Sequence, residues 1–153
     1  MSQTGGDPLG YLLFRLAAML RPQVTAALGP LGLGLPEFVC LRILAQHPGR
    51  TSAELARATH VTAQANNQLL RRLESLGAVD RATTPATGRA LPAELTDKGR
   101  ELLARAERAV AAVDQQVLAG LTATEQRELK SLLAKAGEAH RKETDCSLAT
   151  PGA

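Results

Sequence analysis

Two helix starts set eleven residues apart constrain this chain more than any other feature. Thr51-Ser52-Ala53-Glu54 is a capping box, in which Thr51 and Glu54 can each satisfy the other's free amide donor; it opens a short helix over 52–58. After a turn at 59–61, Thr62 is a second N-cap, and leucines at helical spacing carry a longer helix to Leu76, where Gly77 stops it. Two helices joined by a three-residue turn make a helix-turn-helix. In the second, VTAQANNQLLRRLESL, about 100° per residue puts Ala65, Leu69, Leu73 and Leu76 on one side and Gln64, Asn67 and Arg71 on the other. Surface helices more often carry mixed Glu and Lys, whereas amides and arginine can bond base edges through paired donors and acceptors. The same residues also suit an ordinary polar face, so the flanking sequence decides.

Around this pair the chain reads as mainly α. Residues 8–28 predict a helix with Leu9, Leu12, Leu13, Leu16, Leu20 and Val24 in phase, bent near Ala18–Pro22 because Pro22 lacks an amide donor. GPLGLG at 29–34 is a turn. Pro36 suits the first turn of a helix that runs to about Gln46 and buries Phe38, Val39, Leu41 and Leu44, until His47-Pro48-Gly49 ends it. Beyond Gly77, residues 78–83 and 90–95 predict two strands around a Pro- and Gly-containing turn at 84–89, with Pro92 pushing the second toward a sheet edge or a bulge. Thr96 caps a helix to about Leu118, and the capping box Thr122-Ala123-Thr124-Glu125 opens a last one to about His140. The count is six helices and one hairpin, with residues 1–7 a flexible lead-in and 144–153 a disordered tail.

Aromatics make up only 2% of the 153 residues, so the core must come from Leu, Ala and Val, as in helical proteins. The charge is uneven: residues 50–100 hold eight basic and five acidic side chains, and the outer thirds are close to balanced. A basic centre between neutral arms fits contact with a polyanion. Cys40 and Cys146 have neither metal-ligand spacing nor the pattern of a disulfide framework. His47, His60 and His140 lie far apart without triad or metal spacing, so the reading has no catalytic residue, no metal and no cofactor. No signal peptide is visible and no apolar run approaches the roughly 18 residues of a membrane span, so the expectation is a cytoplasmic protein with no membrane partner.

With its elements in this order, the chain resembles a MarR-family winged helix-turn-helix transcriptional regulator of bacteria. The matching residues are Glu54-Leu55-Ala56, Val61-Thr62, Leu73-Glu74-Ser75-Leu76-Gly77-Ala78-Val79-Asp80-Arg81, Arg89-Ala90, and Leu95-Thr96-Asp97-Lys98-Gly99-Arg100, in one order over nearly the whole chain. The resemblance implies a mainly α fold with a small β-hairpin wing. Residues 1–35 would be lead-in and N-terminal dimerisation helix, 36–96 the DNA-binding domain, and 97–143 the C-terminal dimerisation helices. It departs from the family in the wing, usually Asp-Pro-x-Asp-x-Arg and here Thr84-Pro85-Ala86-Thr87-Gly88-Arg89, so the acids that orient the arginine are absent. It departs again at Asn66, usually aliphatic, which is either half-buried and bonded to backbone or turned to DNA.

The resemblance implies that the helix from Thr62 and Ala63 enters the major groove of double-stranded DNA. Gln64 and Asn67 would read bases, with Gln68 flanking at a less outward angle. Arg71 and Arg72 would meet phosphate, though Arg72 lies nearer the apolar side, where it can equally well lay its stem over apolar neighbours. Arg89 would enter the minor groove at the wing tip. Arg81 reads instead as an internal partner of Asp80 or Glu74. The outer helices imply a homodimer on a palindromic operator. Relatives take small aromatic effectors between dimer helices and DNA-binding lobe; here Tyr11, Arg15 and Phe38, with Phe14, are the aromatic and cationic residues near that region, although core packing accounts for the phenylalanines too. Cys40 matches no peroxide-sensing position. The function expected is repression of transcription, relieved by an effector. The competing expectation is a winged-helix dimer that serves as a protein-interaction module without reading DNA.

Overall fold

The computed structural model describes residues 6–81 and 92–148, with side chains in the last helix described as far as Glu138. The hairpin turn with Arg89, residues 1–5 and residues 149–153 lie outside the described residues, as do the side chains of His140 and Cys146. Six α-helices and a three-stranded sheet follow in the order α1 (Leu9–Leu28), α2 (Leu35–Gln46), β1 (Arg50–Thr51), α3 (Ser52–Thr59), α4 (Ala63–Ser75), β2 (Val79–Arg81), β3 (Pro92–Leu95), α5 (Asp97–Val117) and α6 (Ala123–Leu148). Two compact units divide the chain, residues 1–114 and 115–153.

In the first unit the core is built from Leu28, Cys40, Leu41, Leu44, Leu55, Leu70, Leu73 and Val79, all essentially inaccessible to solvent. Helix α1 continues through Pro22, where the sequence predicts a bend. Ala18, whose carbonyl loses its partner to the proline, is exposed, so that oxygen can turn to water without breaking the helix. A 3-10 turn at Gly29–Leu31 leads into α2, where Glu37 accepts a bond from the Gly34 amide at 3.0 Å. A Cβ on residue 34 would lie 2.6 Å from the same carboxylate oxygen, so a side chain there would push the Glu37 tip away from the Gly34 amide.

The sheet corrects two expectations. Its order is β1-β3-β2, so the two residues before α3 form a strand the sequence does not announce, and β3 lies at the centre rather than at an edge. Pro92 is tolerated because it is the first residue of β3, paired with Thr51 at the end of β1, where one absent donor costs little. Register pairs Val79 with Leu95 and Arg81 with Ala93, which turns Val79, Ala93 and Leu95 into the core.

Thr96 joins this sheet to both neighbouring helices. Its amide bonds the Ala78 carbonyl, its hydroxyl donates to the Gly77 carbonyl, and the same oxygen accepts the Gly99 amide to cap α5. Gly99 is buried so closely against this junction that a Cβ would run into the Ala78 carbonyl.

In the second unit, Thr122 and Glu125 form the expected capping box, and Glu125 is held below the ordinary carboxylate range by the Thr122 amide and hydroxyl. Helix α6 runs to Leu148, beyond the expected end near His140 and through the first part of the expected disordered tail. Nothing in Arg141–Asp145 breaks a helix, and the next strong breaker is Pro151. Leu132 and Leu133 are exposed on α6.

Candidate nucleic-acid interface

Helix α3 begins with both bonds of its capping box, Glu54 amide to Thr51 hydroxyl at 3.3 Å and Thr51 amide to Glu54 carboxylate at 2.8 Å. The Thr51 amide is the main cause holding Glu54 below its usual range. At its other end the Val61 amide reaches back to the Ala56 carbonyl, and His60 takes a left-handed conformation at φ 56°. That conformation suits glycine better than any other residue. It lets the chain reverse in three residues before Thr62, whose hydroxyl accepts the Ala65 amide at 3.1 Å and starts α4. Helix α4 ends where the Gly77 amide bonds Glu74 and the Ala78 amide bonds Leu73, with Gly77 at φ 68°.

The buried face of α4 is Asn66, Leu69, Leu70 and Leu73: of the expected face, Leu69 and Leu73 are buried and Leu76 half-buried, while Ala65 is exposed. With about 100° per residue, the outward centre then falls among Gln64, Gln68 and Arg71, while Asn67 and Arg72 lie on opposite flanks. Gln68 is therefore more outward, and Asn67 less, than the sequence suggests.

Asn66 turns inward. It is fully buried, and its Nδ2 donates to the Ser52 carbonyl at 2.9 Å and the Ser52 hydroxyl at 3.1 Å, while its own Oδ1 has no partner among the described residues. The Ser52 hydroxyl in turn donates to Asn67 Oδ1 at 2.8 Å. Ser52 is thus a residue that sequence reasoning missed, since a serine at the first position of a capped helix carries no separate signal.

Arg72 is tied as well. Its Nη1 lies 2.8 Å from Oε1 of Glu37, a carboxylate with a 5% exposed side chain whose other oxygen takes the Gly34 amide. Glu37 was not singled out in the sequence, because its partner lies far away in α4. On the next turn Glu74 pairs with Arg81 of β2 at 2.7 Å, the internal partnership expected of Arg81. Thr62, Ala63, Gln64, Gln68 and Arg71 are exposed, and among the described residues the side chains of Gln64, Gln68 and Arg71 have no hydrogen bond or ion pair. A row of unengaged amides and a cation on a helix fixed at both ends can donate and accept toward an extended anionic partner.

The expected effector residues are dispersed. Tyr11 and Arg15 are both exposed on α1, with the guanidinium 5.8 Å from the ring centroid. Phe38 is buried, and its ring is covered by Arg42 at 5.9 Å. An open cavity of about 380 Å³ lies elsewhere, lined by Leu31, Ser75, Leu76, Lys98, Glu101, Leu102 and Arg105. Burial, and secondarily the charge of Glu37, push the Cys40 thiol up to about 12, which makes it a poor nucleophile. No cluster of potential metal ligands occurs among the described residues, and no single helix there is long and apolar enough to cross a membrane.

Comparison with known proteins agrees with this geometry. A model of the MarR family matches residues 31–90. The HTH-type transcriptional repressor Rv2887 of Mycobacterium tuberculosis is 61% identical over 130 residues, which span 85% of this chain and 94% of that protein. The crystal structure of the M. tuberculosis MarR family protein Rv2887 in complex with DNA superposes with a TM-score of 0.75 at 58% identity, covering 86% of this chain and 99% of the other. Its complex with salicylic acid superposes with a TM-score of 0.71 at 59% identity, covering 86% and 98%. A mainly helical chain with a capped helix-turn-helix, a three-stranded wing sheet and relatives this similar belongs to the MarR family.

Proposed function

We propose that this chain is a sequence-specific transcriptional repressor, not an enzyme, which acts in the cytoplasm as a homodimer on a palindromic operator. The observation that carries the reading is the exposed Gln64–Gln68–Arg71 row on a helix fixed at both ends, in a chain 61% identical to a transcriptional repressor. In this reading α4 lies in the major groove. Thr62 and the small Ala63 bring its N-terminus to the backbone, Gln64, Asn67 and Gln68 meet base edges, and Arg71 meets phosphate. Arg72 contributes less, since Glu37 already answers its charge. Arg89 would enter the minor groove from the wing. Exposed Leu9, Leu13, Phe14 and Met19 on α1, and Leu132 and Leu133 on α6, supply the apolar surface of the dimer.

The effector is an aromatic carboxylate, by analogy with the relative bound to salicylic acid. Tyr11 and Arg15 offer it a ring and a cation on α1, whereas Phe38, buried under Arg42, does not join them. Release of operator DNA by salicylate, lost in Arg15→Ala and kept in Arg105→Ala, is the expected pattern. The opposite pattern moves the effector to the cavity beside Lys98 and Arg105.

Selection of bound fragments from random duplex DNA tests the whole reading. A palindrome with half-sites about one helical turn apart is expected, with affinity falling on a log–log salt plot by about 0.9 per phosphate neutralised. A folded dimer that selects no duplex would instead be a protein-interaction module.

A further inference from the structure

We propose that Ser52, on α3, is the positioning residue that decides which way the Asn67 amide faces, and so makes Asn67 a hydrogen-bond donor to a purine acceptor edge. The inference rests on the operator reading above and deepens it. Its logic begins at an atom with no freedom. The Ser52 carbonyl can only accept, so the buried Asn66 must aim Nδ2 at it, at 2.9 Å. The second hydrogen of that amide goes to Ser52 Oγ at 3.1 Å. Oγ therefore accepts from Asn66 and retains one proton to give, and the atom 2.8 Å away in Asn67 is Oδ1. Hydrogen bonds run in one direction, from Asn66 through Ser52 to Asn67.

The consequence falls on the exposed end. Ser52 holds Asn67 Oδ1 on the α3 side with one of its lone pairs engaged, so Nδ2, with both hydrogens unused among the described residues, is the group turned outward. Adenine is matched by an amide that donates to N7 and accepts from N6, whereas guanine shows two acceptors, N7 and O6. An Asn67 held by Ser52 therefore favours guanine, and it disfavours cytosine, which shows a donor. The burial of Asn66 follows from the same chain: its Nδ2 must face the acceptor-only Ser52 carbonyl, and this fixes the polarity of the relay. An aliphatic residue at position 66 would leave the Ser52 hydroxyl free to turn.

Two measurements test this on the full-length protein. In the free protein the Asn67 side-chain amide should be ordered on the picosecond–nanosecond scale and become mobile in Ser52→Ala, with Ser52→Thr retaining order. In selections from random duplexes, Asn67→Ala should flatten one base position of each half-site, at which the wild type prefers guanine. Ser52→Ala should lower that preference by about fivefold at the same position alone, and Ser52→Thr should restore it. An Asn67 amide already mobile in the wild type overturns the proposal, as does a Ser52→Ala that weakens every position in parallel or leaves the preference untouched. A wild-type chain that selects no duplex, with its amide ordered, overturns the operator reading and with it the role of Ser52 in specificity.

Discussion

Helices α1 and α4 invert the usual relation between composition and burial. Along α1, Leu9, Tyr11, Leu13, Phe14 and Met19 are exposed and only Val24 and Leu28 are buried. Along α4, a helix rich in amides and arginine, Asn66, Leu69, Leu70 and Leu73 are all buried. The difference lies in what each helix is held by. Helix α4 is capped by Thr62, closed by Gly77, and tied sideways to Ser52, Glu37 and Arg81. Over the first part of α1 no comparable burial exists within the described residues, and the homodimer proposed above would cover its apolar side. One helix is fixed within its own chain, whereas the other, in the proposed dimer, would be completed by a copy of itself.

The largest effect is expected where α1 depends on that copy. Leu13→Glu combined with Phe14→Glu should give a folded monomer by sedimentation, with operator affinity at least about a hundredfold weaker because two half-sites no longer bind together. A dimer that survives both charges would place the interface elsewhere and leave the exposure of α1 without a cause.

Next in size is the junction at the end of α4. Gly99→Ala forces a Cβ into the Ala78 carbonyl, one residue beyond the left-handed Gly77. A backbone carbonyl cannot move aside as a side-chain tip can, so a loss of about 3 kcal/mol is expected from denaturant midpoints. A loss below about 1 kcal/mol would mean that α5 shifts against the end of α4 at little cost. A smaller effect attaches to Arg72→Ala, which leaves the Glu37 carboxylate buried with only the Gly34 amide. About 1–2 kcal/mol is expected, discounted because the Arg72 side chain is 65% exposed. Arg71→Ala should cost under about 0.5 kcal/mol in stability yet lower the salt slope of DNA binding by about 1. Equal behaviour of the two arginines would erase the distinction between a structural and a phosphate-facing cation.

What could be read from the sequence was what is local. Thr51 with Glu54, Thr62 with Ala65, Gly77 after Leu76 and Thr122 with Glu125 act within a few residues, so helix starts and stops were legible. The face of α4 was only partly legible, because Asn66 looks polar and its partner Ser52 is 14 residues away, on a different helix. Ala65 was assigned inward on hydrophobicity alone, although so small a side chain loses little by remaining in water. The pairing of Arg72 with Glu37 was not legible for the same reason of distance. A two-residue strand such as β1 has no period to detect, and Pro92 misled because a ban on proline in central strands relaxes at a strand's first residue. The readers expected from the resemblance on α4 fall on exposed positions, but their ranking depended on which turn of the helix faced the core.

A small effect that depends on pH separates the two helices. Glu74 accepts a hydrogen bond from Arg81, and this, opposed by partial burial and aided by the Arg81 and Arg71 charges, holds its carboxyl below the ordinary value of 4.5. A depressed carboxylate contributes stability that is fully present above its unfolded pKa and lost as pH falls through the lower folded one. Glu74→Gln should therefore cost about 0.5–1 kcal/mol at pH 7, and the two proteins should converge as the pH is taken well below 4.5. Helix α1 contains no carboxylate, so a change confined to it carries no such acid limb. Urea midpoints of both proteins at neutral and acid pH are the measurement. A constant difference between them would mean that Glu74 supports the α4–β2 junction by shape alone, and the tie to Arg81 would no longer count among the contacts that set α4 apart from α1.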